Sequence, residues 1–162
     1  MKRVAIITSS DAGHKGERED LSGPKIIETI EKFGYKRVNY QVLPDEQEML
    51  EKAMVELTDN GKADLILTTG GTGFSKRDCT PEATRNIIER ETPGIPEAMR
   101  QLSLTFTKRA MLSRAVAGIR GNTLIVNLPG SPKAVEECLE YILPELDHGL
   151  EILLGEASNC AR

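Results

Sequence analysis

The stretch 65-LILTTGGTGFSKRDCTPEA-83 decides the fold. LILTT is a short run of apolar and β-branched residues. It leads into glycines at 70, 71 and 73 and a polar loop that closes on Thr80-Pro81-Glu82. Such a run reads as a strand buried on both faces, as in a parallel sheet between helices. Thr-Pro-Glu reads as a helix start, with Thr80 expected at the N-cap and Pro81 at the first helical position. The stretch is therefore a strand, a glycine turn and a helix.

The same unit recurs on either side. Residues 4–8 (VAIIT) predict a buried strand, and Leu21-Ser22-Gly23-Pro24 opens a helix to about residue 33, with Ser22 as N-cap and Gly34 as stop. Residues 37–43 predict a second strand ended by Pro44-Asp45, and residues 46–60 a helix stopped by Gly61. Residues 63–69 form the third strand. Downstream, residues 96–107 predict a helix. Residues 114–119 and 122–126 predict strands joined in a hairpin at Arg120-Gly121-Asn122, and residues 131–154 a long helix broken at Pro144. Strand–helix alternation of this kind builds right-handed βαβ units. The expected fold is α/β, a three-layer α/β/α sandwich with a mostly parallel sheet and one short antiparallel strand, filling residues 1–162 as a single domain.

Bulk properties exclude several classes. The chain of 162 residues is 39% hydrophobic and 28% charged, a globular composition, with a formal net charge of −4. That balance argues against a nucleic-acid partner. Cys79, Cys138 and Cys160 are isolated and odd in number, which disfavours a disulfide framework or zinc knuckle and fits a reducing cytoplasm. The apolar run after MKR stops at Thr8-Ser9-Ser10-Asp11, too soon for a signal-peptide core, and no stretch is long enough for a membrane span.

In open α/β sheets ligands bind beyond the carboxyl ends of the strands. Small and polar residues gather at those ends: Ser9-Ser10-Asp11, Pro44-Asp45, Gly70-Gly71-Thr72-Gly73, and Asn127-Leu128-Pro129-Gly130-Ser131-Pro132. The glycine cluster is neither a P-loop nor a dinucleotide fingerprint, since Lys76 stands where the latter needs its last glycine. It can be a tight turn, or a turn whose backbone N–H groups cradle an anion. Asp45 and Asp78 can serve as turn or cap residues, or hold Mg²⁺, which takes one or two carboxylates together with phosphates and water. Ser131-Pro132 caps a helix and can also present free N–H groups to an anion. Lys76, Arg77, Arg114 and Lys133 are candidate phosphate partners. Cys79 has no neighbouring histidine to activate it, and His14 and His148 have no partner at useful spacing.

Four blocks carry a family resemblance: 42-VLPDEQ-47, 67-LTTGGTGFSKRDCTPEAT-84, 93-PGIPEAMRQLSLTF-106 and 112-LSRAVAGIRGNTLIVNLPGSPKAVEECL-139. Together they resemble the molybdopterin adenylyltransferases of molybdenum-cofactor biosynthesis and the related G domain of gephyrin, in order along nearly the whole chain. The resemblance implies a protein that binds molybdopterin and ATP with Mg²⁺ and transfers AMP to the terminal phosphate of the pterin, releasing pyrophosphate. It implies a homotrimer whose product passes to a metal-insertion protein. It places the catalytic, metal-binding acids at Asp45 and Asp78, ligand contacts at Gly70, Gly71, Thr72, Gly73, Pro129, Gly130 and Ser131, and, with position along the sheet edge, Ser9, Asp11, Ser113 and Arg114 on the pterin side. Two rival readings keep the fold and change the role. One is a non-catalytic pterin carrier or scaffold domain, the other a relative acting on another phosphorylated substrate.

Overall fold

A computed structural model describes residues 1–157, so Cys160 lies outside the described residues. The elements follow one another as β1 (Arg3–Ser9), α1 (Asp11–His14), α2 (Ser22–Lys32), β2 (Lys36–Leu43), α3 (Gln47–Asp59), β3 (Leu65–Thr69), α4 (Thr80–Ile87), β4 (Arg90–Glu91), α5 (Gly94–Leu104), a 3₁₀ turn (Lys108–Leu112), β5 (Ala117–Arg120), β6 (Thr123–Leu128) and α6 (Pro132–Leu153).

Among the described residues the strands form one sheet in the order β2-β1-β3-β6-β5-β4. β2, β1, β3 and β6 are parallel neighbours, and β5 runs against β6 on one side and β4 on the other. One strand is thus antiparallel to the rest, as expected. Successive side chains of a strand point to opposite faces, and both faces here are covered. Val4, Ile6, Leu65, Leu67, Leu124 and Val126 pack with Ile26 and Ile30 of α2, Met99 of α5 and Val135, Leu139 and Leu143 of α6. Ala5, Ile7, Ile66 and Ile125 pack with Leu50, Met54 and Leu57 of α3 and Ala83 and Ile87 of α4. This is the three-layer sandwich. Each Leu or Ile withdrawn from water in it contributes about 1.5–3 kcal/mol.

Several local expectations are corrected. The helix expected at 96–107 begins two residues earlier and ends at Leu104. The helix expected to begin after a Ser22 cap already includes Ser22. Asp20 Oδ1 accepts from the backbone N–H groups of Ser22 and Gly23 at 3.1 and 3.2 Å, which leaves the Ser22 hydroxyl free to donate to Gly130 O at 2.6 Å. Thr80 is not an N-cap either. The helix starts on it, and its hydroxyl donates to Gly70 O at 2.9 Å. The strand expected from residue 114 begins at 117, because Val116 N–H bonds the side-chain oxygen of Asn127 at 3.1 Å instead of a ladder partner. The following strand is Thr123–Leu128, not 122–126, and the hairpin turn is Gly121-Asn122, with Gly121 at φ 56°. Pro144 does not break α6. It lies on the exposed face beside exposed Glu140, whose carbonyl loses its partner on the solvent side.

Candidate functional site

The parallel strands β1, β2, β3 and β6 deliver Ser9, Leu43, Thr69 and Leu128 to one edge of the sheet. The segments that follow contain Asp11, Asp45, residues 70–78 and residues 129–131, while Ser113 and Arg114 come from the stretch between the 3₁₀ turn and β5. The backbone of residues 70–73 is fixed by its acceptors. Gly70 O accepts from Thr80 Oγ1 at 2.9 Å and Gly71 O from Thr80 N at 3.2 Å. Thr72 O accepts from Arg114 N at 2.9 Å and Gly73 O from Arg114 Nε at 2.7 Å. All four carbonyls are therefore taken up by the protein. Gly70 and Gly71 sit at φ 87° and 72°, where a Cβ would run into Ser9 O and Thr80 Oγ1 respectively. Gly73 has no positive φ, and its requirement is space: a Cβ would stand 3.0 Å from Asp78 Oδ2.

The turn after β6 is held the same way. Pro129 O accepts from Thr69 Oγ1 at 2.6 Å and Gly130 O from Ser22 Oγ at 2.6 Å. A Cβ on Gly130 would lie 3.7 Å from Gly70 Cα, so the two glycine turns meet backbone to backbone. Ser131 caps α6, its hydroxyl accepting from Ala134 N at 3.1 Å.

Two clefts flank this meeting point. One, of about 380 Å³, is bounded by Ser9, Asp20, Ser22, Gly70 and Gly130. The other, of about 360 Å³, runs between α5, the 3₁₀ turn and α6. It has apolar walls of Pro96, Met99 and Leu112 and a polar end at Thr72, Ser113 and Ser131.

Asp45 and Asp78 stand on this same edge, half-buried. Asp45 Oδ1 accepts from Ser9 Oγ at 2.6 Å and Oδ2 from Asp11 N at 3.0 Å. Asp78 Oδ2 accepts from Ser75 N at 3.0 Å, closing a turn in which Asp78 N donates to Ser75 O at 3.0 Å. Among the described residues neither carboxylate forms an ion pair with a basic side chain. Each carboxylate oxygen has a second lone pair, so both acids keep capacity for a cation. No group of three or more His, Cys, Asp or Glu side chains gathers as a metal site among the described residues. That donor set suits Mg²⁺, which draws most of its ligands from phosphate and water, and not a metal caged by protein.

The basic candidates divide. Arg77 is engaged by Asp11 and Glu46, and these bonds hold its guanidinium firmly charged and the Asp11 carboxyl down at about 2. Arg114 is bound to Glu82 and, through Nη2, to Asp78 O at 3.1 Å. It braces the 70–78 loop from beneath. Lys76 and Lys133 are exposed. Burial pushes the Cys79 thiol up, away from the thiolate a nucleophile needs.

One contributor, Asp20, was not read from the sequence, and two others, Thr80 and Asn127, were read in other roles. Asp20 gathers Thr8 Oγ1 at 2.7 Å, the Tyr40 hydroxyl and the start of α2, and burial with this neighbour pushes the Tyr40 phenol up. An aspartate just ahead of a Ser-Gly-Pro helix start was the available signal. Thr80 fixes the glycine loop, and fully buried Asn127 donates to Thr68 Oγ1 at 3.0 Å and Thr84 Oγ1 at 2.9 Å, tying β6 to β3 and α4.

A doubly covered sheet whose carboxyl edge gathers two glycine turns and two carboxylates without ion pairs defines an open α/β protein of the kind that binds ligands at its strand ends. Residues 5–148 match the family described as "Probable molybdopterin binding domain". The molybdopterin adenylyltransferase of Helicobacter pylori (strain J99) is 40% identical over 154 residues, covering 94% of this chain and 88% of that protein. Gephyrin of Dictyostelium discoideum is 42% identical over 160 residues, 93% of this chain but 22% of gephyrin. The molybdopterin biosynthesis enzyme MoaB of Thermus thermophilus shares the fold with a TM-score of 0.90 at 48% identity, covering 96% of this chain and 98% of that one. The chain belongs to the molybdopterin-binding domain family of molybdenum-cofactor biosynthesis. No helix among the described residues is long and apolar enough to cross a membrane.

Proposed function

We propose that this protein is a molybdopterin adenylyltransferase: it transfers AMP from ATP to the terminal phosphate of molybdopterin and releases pyrophosphate. The observation that carries the reading is the fixing of residues 70–73 by their carbonyls. A loop held through its acceptors has its N–H donors to offer an anion, and it lies where both clefts meet.

The chemistry follows from the groups at hand. A phosphate-monoester oxygen, with a second pKa of about 6, is largely deprotonated at neutral pH and attacks the α-phosphorus of ATP. The bond from that phosphorus to the bridging oxygen breaks, and pyrophosphate leaves with the electron pair. No general base is required, and alignment and charge neutralisation carry the catalysis. Asp45 and Asp78 would hold Mg²⁺, which supplies neutralisation of the polyphosphate charge when bound. The apolar walls of Pro96, Met99 and Leu112 suit the flat pterin, with Ser113 and Ser131 at its polar end, and the cleft beside Ser9 and Gly70 suits the nucleotide. Ser9, in the wall of one cleft, touches Asp45, and Gly73, in the wall of the other, adjoins Asp78, so each acid stands behind a residue that lines a cleft.

The same reading makes the protein a cytoplasmic homotrimer of single-domain subunits that passes its product to a metal-insertion protein. The exposed apolar side chains of Leu104, Phe106 and Met111 support assembly, and light scattering that reports a monomer at micromolar concentration would reject it. The function is tested by mixing protein, molybdopterin, ATP and Mg²⁺ and measuring pyrophosphate. Release by wild type and its loss in Asp45→Asn and Asp78→Asn are expected. Pterin binding without pyrophosphate would favour a carrier domain.

A further inference from the structure

We propose that Arg77 is a positioning residue of the metal-binding edge: its guanidinium ties the loop that carries Asp78 to the turns that carry Asp11 and Asp45, and so sets how the two metal-binding carboxylates stand to each other. The proposal rests on the reading of Asp45 and Asp78 as Mg²⁺ ligands. Arg77 Nε and Nη2 donate to Asp11 Oδ2 and Oδ1 at 3.0 and 3.1 Å, and Nη2 donates also to Glu46 Oε1 at 2.9 Å. Asp11 is locked in turn to Asp45: its Oδ1 accepts from Asp45 N at 2.9 Å, and its own N–H donates to Asp45 Oδ2 at 3.0 Å. Glu46 is the neighbour of Asp45, and Arg77 the neighbour of Asp78. One side chain therefore joins three segments that are 34 and 66 residues apart in the chain.

An ion pair with its arginine half-exposed adds little to global stability. A guanidinium fork on two carboxylates supplies geometry instead. Charge and geometry predict opposite outcomes here. By Coulomb's law alone, removing the Arg77 charge makes the site more negative and tightens a divalent cation, while removing the Asp11 charge weakens it. If Arg77 and Asp11 form a strut, removing either loosens the carboxylates, and both changes weaken the cation.

The test compares wild type with Arg77→Gln, Asp11→Asn and the double variant. An asparagine at 11 keeps an oxygen to accept from Asp45 N while losing the ion pair. Mn²⁺ is titrated into each protein alone and the free ion followed by electron paramagnetic resonance, with the Mg²⁺ dependence of pyrophosphate release as a second readout. Each single variant is expected to raise the Mn²⁺ dissociation constant about three- to tenfold, and the double variant no further than the larger single effect, as for partners in one network. Arg77→Lys should recover little, since an ammonium lacks the fork. Tighter or unchanged Mn²⁺ binding in Arg77→Gln, or simple addition in the double variant, overturns the proposal. With turnover intact in wild type, that result leaves the adenylyltransferase reading standing. A wild type that neither binds Mn²⁺ nor forms product overturns both.

Discussion

Asp11 and Asp45 close on each other across the ends of β1 and β2: each backbone N–H donates to the other's carboxylate, at 3.0 and 2.9 Å. Two acids that would repel in the open are held together because each ion is solvated by a peptide dipole and one of them also by Arg77. Asp45 is thereby presented at the strand edge with its second lone pairs unspent. The protein's own bonds hold this edge in place, which suits a reaction driven by alignment.

Replacing Asp45 or Asp78 by Asn preserves shape and much of the local hydrogen bonding but removes the charge that would hold Mg²⁺. Turnover should fall by a factor on the order of 10²–10³, the size seen when one preorganised electrostatic group is deleted. Circular dichroism and thermal midpoint should stay close to wild type. Comparable loss of both activity and folded signal would reassign these acids to structure.

The glycines of the loop separate into two kinds. Gly71→Ala forces an L-residue to φ 72° and drives its Cβ into buried Thr80. A loss of about 2–4 kcal/mol is expected from the combined backbone and packing strain, lowering the thermal midpoint by roughly 5–15 °C. The Cβ of Gly73→Val meets only the Asp78 carboxylate, 3.0 Å away. It should leave the midpoint within a few degrees of wild type and abolish binding of molybdopterin in a fluorescence titration. Unchanged binding would contradict the placement of the ligand phosphate over this loop.

Arg114 carries the underside of the loop. Arg114→Ala strips the partners from Gly73 O and Asp78 O and from Glu82. A stability loss of about 1–3 kcal/mol is expected, together with a fall in kcat as Asp78 loses its support. Lysine at 114 should restore only part of either, measured by thermal melts and steady-state kinetics, because it has one donor centre where three directions are needed.

Acid should reach the Asp11 network late. The Asp11 carboxyl lies at about 2 in the folded protein against 3.8 unperturbed, with the Arg77 hydrogen bonds the largest cause and the Asp45 N–H next. A depressed folded pKa adds stability that is complete above the unfolded value and drains away as pH falls through the folded one. The difference in thermal midpoint between wild type and Asp11→Asn should therefore be constant above about pH 5 and shrink between pH 4 and 2. A difference that grows on acidification would contradict this placement of the charge.

The sandwich was legible because β1, β3 and β6 are buried on both faces and written as continuous apolar runs, while helix starts and stops carried Pro and Gly signals. The candidate site was legible as a set of strand ends. What could not be read were the bonds between distant side chains. Thr80 looked like a cap because threonine before proline usually is one, but the glycine loop packs against it and claims the hydroxyl. Ser22 lost its cap role to Asp20 for the same kind of reason, its hydroxyl being drawn to Gly130, far along the chain. β5 started late because Asn127, a polar residue in an otherwise apolar strand, satisfies Val116 through its side chain. Arg77 and Arg114 looked alike as basic residues near a phosphate site, and only the fold distinguishes a strut on two acids from a brace under a loop.

Following the α-phosphate shows whether AMP reaches the pterin. The protein is incubated with molybdopterin, Mg²⁺ and ATP labelled at its α-phosphorus, and the products are separated and identified by mass. The account predicts label on the pterin, in an adenylylated product formed in step with unlabelled pyrophosphate. Label that stays in ATP, or appears only as free AMP while pterin remains bound and unchanged, would contradict it.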